Sequence, residues 1–357
     1  MKFDYYVLST YVPEADGDGP ELYVKWVEQV VLAEELGFDC AWFTEHHFGR
    51  FGGMLPSPQL LIAALAQRTT RIRLGTAVVL LPLHHPLRIA EETAMLDILS
   101  GGRLNVGVGR GMATQPYRIF GTDPADAQEK LEEQVEILLG AWTSTPFSWE
   151  GKHYAFPGPV TLRPPPVQRP HPPLWMPTGS DTSHSRWIGR HGINQMTIPW
   201  LQGFEVARGV IAQYHVGLRE GGYALDEREV LGYLPAYVGE TPERARAESE
   251  AYWRAFREVS DEERGSPSPN FLPYDALVAD SRLIFGDADE CRRHIRRIMD
   301  ELPEVGRLAL MFHFGGMPQE LALASMRRFA RDVAPEFADS ARAVPRPSAK
   351  RRIGHQL

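Results

Sequence analysis

Eight apolar runs of strand length recur along the chain, at residues 3–9, 40–44, 72–80, 104–109, 174–178, 193–197, 230–238 and 308–314. Between them lie longer stretches with apolar residues three and four apart, such as 22–37, 58–69, 86–102 and 127–142, each closing near a glycine or a basic residue. This alternation constrains the fold more than any other feature. It predicts an α/β architecture, a (β/α)8 TIM barrel, whose active site belongs where strands run out into the loops that follow them.

Two stretches exceed simple strand-to-helix loops. Residues 143–173 carry "FSWEGKHYAFPG" and "RPPPVQRPHPP", and read as an insertion after strand 4, a β-hairpin followed by an extended connector. Residues 261–280 read as an extended, mobile segment after strand 7 that could cover the barrel mouth. The domain reading is a single barrel over 1–337, with a basic, disordered tail at 338–357.

Composition removes several function classes. The formal net charge of −8 argues against nucleic acid or an anionic membrane as partner. Cys40 and Cys291 stand far apart with no CxxC spacing, which fits a reducing, cytoplasmic setting and neither zinc nor a disulfide framework. No run reaches the length of a membrane span and no leader pattern precedes the first strand.

The rarest residues converge on the strand ends: "TEHHFGRFGG" after strand 2, "LLPLHHP" after strand 3, "GVGRGMA" after strand 4, "PTGSDTS" after strand 5 and "FHFGGMP" after strand 8. Adjacent strand residues point to opposite faces, so His46 and His47, or His84 and His85, could not share one metal if the strands continued through them. A pocket-lining histidine with its neighbour packed under a loop is the better reading, and no metal is expected. Gly109 and Arg110 offer close backbone approach and a guanidinium suited to phosphate. Gly179, Ser180, Thr182 and Ser183 open a helix with amides and hydroxyls, which suits a phosphate as well as an ordinary cap. Among aromatics near the mouth, Phe48, Phe51, Trp200 and Phe204 are candidates for an apolar pocket.

The chain resembles the bacterial luciferase-like flavin-dependent monooxygenases. The resemblance rests on "TEHHF" at 44–48, on the run from "LGTAVVLLPLHHPLRIAEE" to "FGTDP" at 74–124, on "PTGSDTS" and on "FARDVAPEF" at 329–337. It implies a TIM barrel that takes reduced FMN from a separate NAD(P)H-dependent flavin reductase and reacts it with O2 to a C4a-peroxyflavin, oxygenating a small, mostly apolar organic substrate. It also implies a homodimer. Carried over by residue, His46 is the catalytic histidine with Glu45 and His47 beside it, and Ala77 and Val78 form a cis peptide against the flavin. Arg110 contacts the flavin phosphate, helped by Ser180, Thr182 and Ser183. Gly109 stands where the light-emitting subunit has a reactive cysteine, and Gln128 where it has a second arginine, so the expected enzyme is non-luminescent. Related barrels use a 5-deazaflavin coenzyme for hydride transfer without oxygen, which is the alternative, and a flavin-binding subunit without chemistry is a third reading.

Overall fold

Strand β1 (Lys2–Val7) starts the chain's sheet and β2 (Cys40–Phe43), β3 (Arg73–Thr76), β4 (Val79–Leu80) and β5 (Leu104–Gly109) follow. Then come β6 (Leu174–Pro177), β7 (Asn194–Thr197), β8 (Val230–Val238), β9 (Ile284–Gly286) and β10 (Val305–Met311). A computed structural model describes residues 1–264 and 272–337. All strand pairs are parallel, in the order β10-β1-β2-β3-β5-β6-β7-β8, and β10 pairs with β8 to close the ring. The result is the expected eight-stranded TIM barrel, with helices between successive strands.

Local chemistry sets the helix boundaries. Proline occupies the first turn of the helices Pro20–Leu36, Pro58–Ala66 and Pro86–Leu99, where its missing N–H costs no helical hydrogen bond. Gly37 ends the first of these in the left-handed region at φ +91°.

The apolar run at 72–80 is two strands rather than one. It breaks at a cis peptide between Ala77 and Val78, and β4 resumes against Val108 and Gly109 of β5. Gly107 is needed at this junction because a Cβ there would overlap the Thr76 carbonyl. The Thr76 hydroxyl donates to the Gly107 carbonyl at 2.7 Å and accepts its N–H at 2.8 Å. The last strand starts earlier than its apolar run, at Val305, and stops at Met311. β9 extends the sheet at the carboxyl end of β8 through Ala236–Ile284 pairing.

The insertion after β5 forms the expected hairpin only as two isolated antiparallel bridges, Phe147 with Val160 and Glu150 with Ala155. Around 261–280, the flanks are the helices Pro242–Arg264 and Tyr274–Ala279. The centre of that expected covering segment, 265–271, and the tail at 338–357 lie outside the described residues.

Residues of β1 alternate inward. Asp4 lies deep in the barrel, receiving both hydrogen bonds of Arg307 Nη1 at 2.7 and 2.8 Å and one from Trp42 Nε1 at 2.8 Å. Tyr6 and Leu8, two and four residues on, face a cavity at the carboxyl end of the strands. The ion pair thus plugs the barrel beneath that cavity.

Candidate active site

The cavity holds about 370 Å³, within the range of small-ligand pockets. The segments after β1, β2, β3, β5, β6 and β7 supply most of its wall. Glu45, His46 and His47 all contribute, because β2 ends at Phe43 and the side-chain alternation of a strand no longer applies beyond it. The expectation of one pocket-lining histidine per pair therefore fails at both pairs. His46 and His47 both line the cavity, whereas His84 and His85 stand behind its wall.

Glu45 organises this end. Its side chain is buried, and Oε1 accepts from His47 Nε2 at 3.0 Å and His84 Nε2 at 2.7 Å, while Oε2 accepts the Leu80 N–H at 2.9 Å. Burial by itself would raise the Glu45 pKa, but the bonds from His47, His84 and Leu80 outweigh it and hold the carboxyl below its ordinary value. For His84, burial opposes charge and the Glu45 carboxylate overcomes it, so its pKa rises. Gln134 holds the turn that carries His84, donating to the carbonyls of Leu81 at 3.0 Å and His84 at 2.8 Å. His85 faces the insertion instead, edge-on to Tyr154 at 5.8 Å.

His46 behaves differently from its neighbours. Burial pushes its pKa down to about 4 against the pull of Glu45, so the ring is neutral near pH 7. Its ring sits edge-on to Phe51 at 5.8 Å and directly over Gly52, whose φ is +81°. A Cβ at Gly52 would collide with the imidazole, which explains the glycine.

The remaining wall divides by polarity. Ala77, Val78, Leu80 and Gly109 line one side of the cavity. Leu8, Phe51, Ile198, Trp200 and Leu201 form an apolar region, and Arg282 fixes it by donating to the carbonyls of Trp200 at 3.0 Å and Leu201 at 2.8 Å. Of the four aromatic candidates, Phe51 and Trp200 are in the wall and Phe48 and Phe204 are not. Phe48 instead turns outward at φ +66°, 57% exposed, with its ring 5.5 Å from that of Phe120.

Arg110, Gly179, Ser180, Asp181 and His184 form the polar end. Arg110 is exposed, and the Tyr117 hydroxyl donates to its backbone carbonyl, leaving the guanidinium with no hydrogen bond among the described residues. Thr182 and Ser183 are outside the wall, in the first turn of the helix Thr182–Arg190. Asp181 caps that helix, its Oδ1 accepting the N–H groups of Ser183 at 2.9 Å and His184 at 3.2 Å.

Several wall residues carried no local signal. Tyr6 and Tyr233, whose rings are 4.4 Å apart, come from β1 and β8 and read as ordinary strand aromatics. Thr44 has a buried hydroxyl without a partner among the described residues, and Gln202 has an equally unpartnered Oε1. His184 and Gln202 sit on helices that follow β6 and β7, and only the assembled barrel brings them to the mouth. The arrangement provides a neutral imidazole, an ionised buried carboxylate, an apolar chamber and a free cation, a set suited to an anionic cofactor beside an apolar reactant.

Residues 1–303 match the model of the luciferase-like monooxygenases. The oxygenase component of the flavin-dependent trigonelline monooxygenase of Acinetobacter baylyi is 28% identical over 364 residues, covering 95% of this chain and 96% of that one. The solved structure of monooxygenase RslO1 from Streptomyces bottropensis superposes with a TM-score of 0.87 at 29% identity, covering 95% of this chain and 100% of that one. The coenzyme F420 dependent tetrahydromethanopterin reductase of Methanopyrus kandleri, at 19% identity and a TM-score of 0.70 over 94% of this chain and 99% of its own, shares the fold alone. With the match running through every strand-end loop that builds the cavity, the chain belongs to the luciferase-like monooxygenase family and is a flavin-dependent monooxygenase.

Proposed function

We propose that the protein is the oxygenase component of a two-component system, taking reduced FMN from a separate NAD(P)H-dependent reductase and using O2 to oxygenate a small, mostly apolar organic substrate. One observation carries this reading: a single cavity joins a free guanidinium at one end to an apolar chamber at the other, with neutral His46 within it.

The residues present fit FMN. Ala77, Val78 and Gly109 offer a side-chain-poor wall for the ring system, and Gly109 keeps it so, since a Cβ there would press on Val78 Cγ2 at 2.8 Å. Arg110, Gly179 and Ser180 would hold the phosphate, with Thr182 and Ser183 behind them. Reduced flavin supplies the two electrons that activate O2.

Protein groups do the rest. His46, neutral at working pH, donates or accepts one hydrogen bond at a ring nitrogen without adding charge. Glu45 holds His47 through Nε2 and so sets which nitrogen of that ring carries its proton. Leu8, Phe51, Ile198, Trp200 and Leu201 exclude water from the reacting face. A homodimer and a cytoplasmic location belong to the same proposal, and sedimentation and cell fractionation test them. Among the described residues no helix is long and apolar enough to cross a membrane.

The test is anaerobic titration of the protein with reduced FMN and with a reduced 5-deazaflavin coenzyme, followed by mixing with oxygenated buffer. Preferential binding of reduced FMN with oxygen uptake and slow hydrogen peroxide release supports the oxygenase. Preferential deazaflavin binding without oxygen uptake would make it a hydride-transfer enzyme. Flavin binding with oxygen uptake no faster than that of free flavin would reduce it to a binding subunit.

A further inference from the structure

Helix N-termini hold anions through unpaired amides, but the one at this cavity is already occupied. Asp181 Oδ1 accepts the amides of Ser183 and His184, and also the Ser183 hydroxyl at 2.6 Å. A phosphate approaching those amides meets a carboxylate, so the side chains of the wall must supply the opposing donors. Arg110 is one of them.

His184 is the second donor that the geometry offers. Its side chain is only 10% exposed and it lines the same polar end as Arg110 and Ser180. The ring lies parallel to Trp187, 5.9 Å away with 14° between the planes, which restrains its orientation. Gln128 Nε2 stands 2.9 Å from His184 Nδ1 and also donates to Glu132 Oε1 at 2.7 Å. A Nδ1 that accepts from Gln128 leaves the ring proton on Nε2, and Nε2 has no partner among the described residues. In this tautomer Nε2–H is a donor.

We propose that His184 Nε2–H is the second anion-binding donor of the cavity, directed at a phosphate monoester, and that Gln128 sets the tautomer that makes it one. The inference rests on the FMN reading above. The experiment is fluorescence-quenching titration of the full-length protein with oxidised FMN and with riboflavin, which differ only in the phosphate, for wild type, H184A, H184Q and R110A. Riboflavin affinity also reports whether each variant is folded. The expected result is about a tenfold weakening of FMN binding in H184A, the order of one charge-assisted hydrogen bond, with riboflavin affinity unchanged. H184Q, whose amide nitrogen reaches toward the position of Nε2, retains most of the FMN preference. Equal weakening for both ligands in H184A, or an intact FMN preference in H184A with its loss in R110A, overturns the role of His184 alone. A wild-type protein that binds riboflavin as tightly as FMN overturns the FMN reading itself.

Discussion

Replacing Glu45 by Gln removes one charge at almost no change in volume, and the structure sets what that costs. The carboxylate accepts three hydrogen bonds, from His47 and His84 at Oε1 and from the Leu80 amide at Oε2. A glutamine has one acceptor oxygen and one donor nitrogen. If its oxygen faces the histidines, its NH2 meets the Leu80 N–H. If it flips, its NH2 meets both imidazoles. The first orientation strands the buried Leu80 donor and the second forces both imidazoles into the tautomer that accepts at Nε2, at about 1–3 kcal/mol, and the bond to His84 loses its charge assistance, about 1 kcal/mol more. We expect E45Q to lose about 2–4 kcal/mol near pH 6. The pH dependence follows from the two shifts. The His84 pKa is raised above 6.5, so its contribution is complete below that value and fades as pH rises through the folded-state pKa. Glu45 is lowered from 4.5, so its contribution is complete above that value and is lost as pH falls through the folded-state pKa. The difference between wild type and E45Q is therefore greatest between those limits and shrinks by about 1 kcal/mol on moving to about pH 9. Urea unfolding of both proteins at the two pH values, followed by far-ultraviolet circular dichroism, measures it. A penalty under about 1 kcal/mol near pH 6, or one of equal size at both pH values, refutes the Glu45–His84 charge pair.

R110A is expected to weaken FMN binding by about tenfold or more and to leave riboflavin binding unchanged, and equal losses for both would make the arginine structural. H46A is expected to retain flavin while losing product formation, with consumed oxygen released as hydrogen peroxide; undiminished product yield removes His46 from the chemistry. Since the His46 pKa lies at about 4, the wild-type rate profile carries no inflection from it near neutral pH, and restoration of an inflection to wild type absent from H46A would contradict the neutral ring. G52A forces a side chain into the left-handed region and into the His46 imidazole, so it is expected to cost about 1 kcal/mol or more in stability and to impair oxygenation more than flavin binding. Stopped-flow oxygen consumption beside flavin titration separates the two effects, and unimpaired turnover in G52A would show that the loop relaxes around the added methyl.

The barrel was legible because its signal is local. Strand-length apolar runs alternating with helical periodicity are written residue by residue, and every run found that way contributes a strand of the ring. What escaped was whatever depends on contacts across the chain. Residues 72–80 read as one strand because Ala77 and Val78 are as apolar as their neighbours; the cis peptide between them was implied by the resemblance and is present, while its consequence, the separate pairing of β4 with β5, was not legible. β9 has three residues, too few for any periodicity. At the site, the loops that carry Glu45, His46 and His47, Gly109 and Arg110, and Gly179 and Ser180 line the cavity, whereas His84, His85 and the loop after the last strand do not, and Thr182 and Ser183, whose chemistry suits a phosphate, stand outside the wall in the helix that Asp181 caps.

The loop "EHHFGRFGG" shows why a site can be recognised from sequence without being understood from it. Several residues there are held by distant partners. Glu45 reaches His84, 39 positions on, across the next strand. The Glu263 carboxylate, from the helix Pro242–Arg264, packs against Gly49 and accepts the Arg50 and Phe51 amides. Arg50 binds the neighbouring Glu262 at 2.8 Å and the Tyr11 carbonyl at 3.3 Å, tying the first, second and seventh barrel units together. Gly52 clears the ring of His46, and its N–H donates to the Ser9 carbonyl at 2.6 Å. An acid, two histidines and an arginine among glycines therefore mark two requirements placed on one short segment. Its polar groups must converge on the cavity, and its backbone must be thin enough for the backbone that follows β1 and for side chains from the third and seventh units to hold it there.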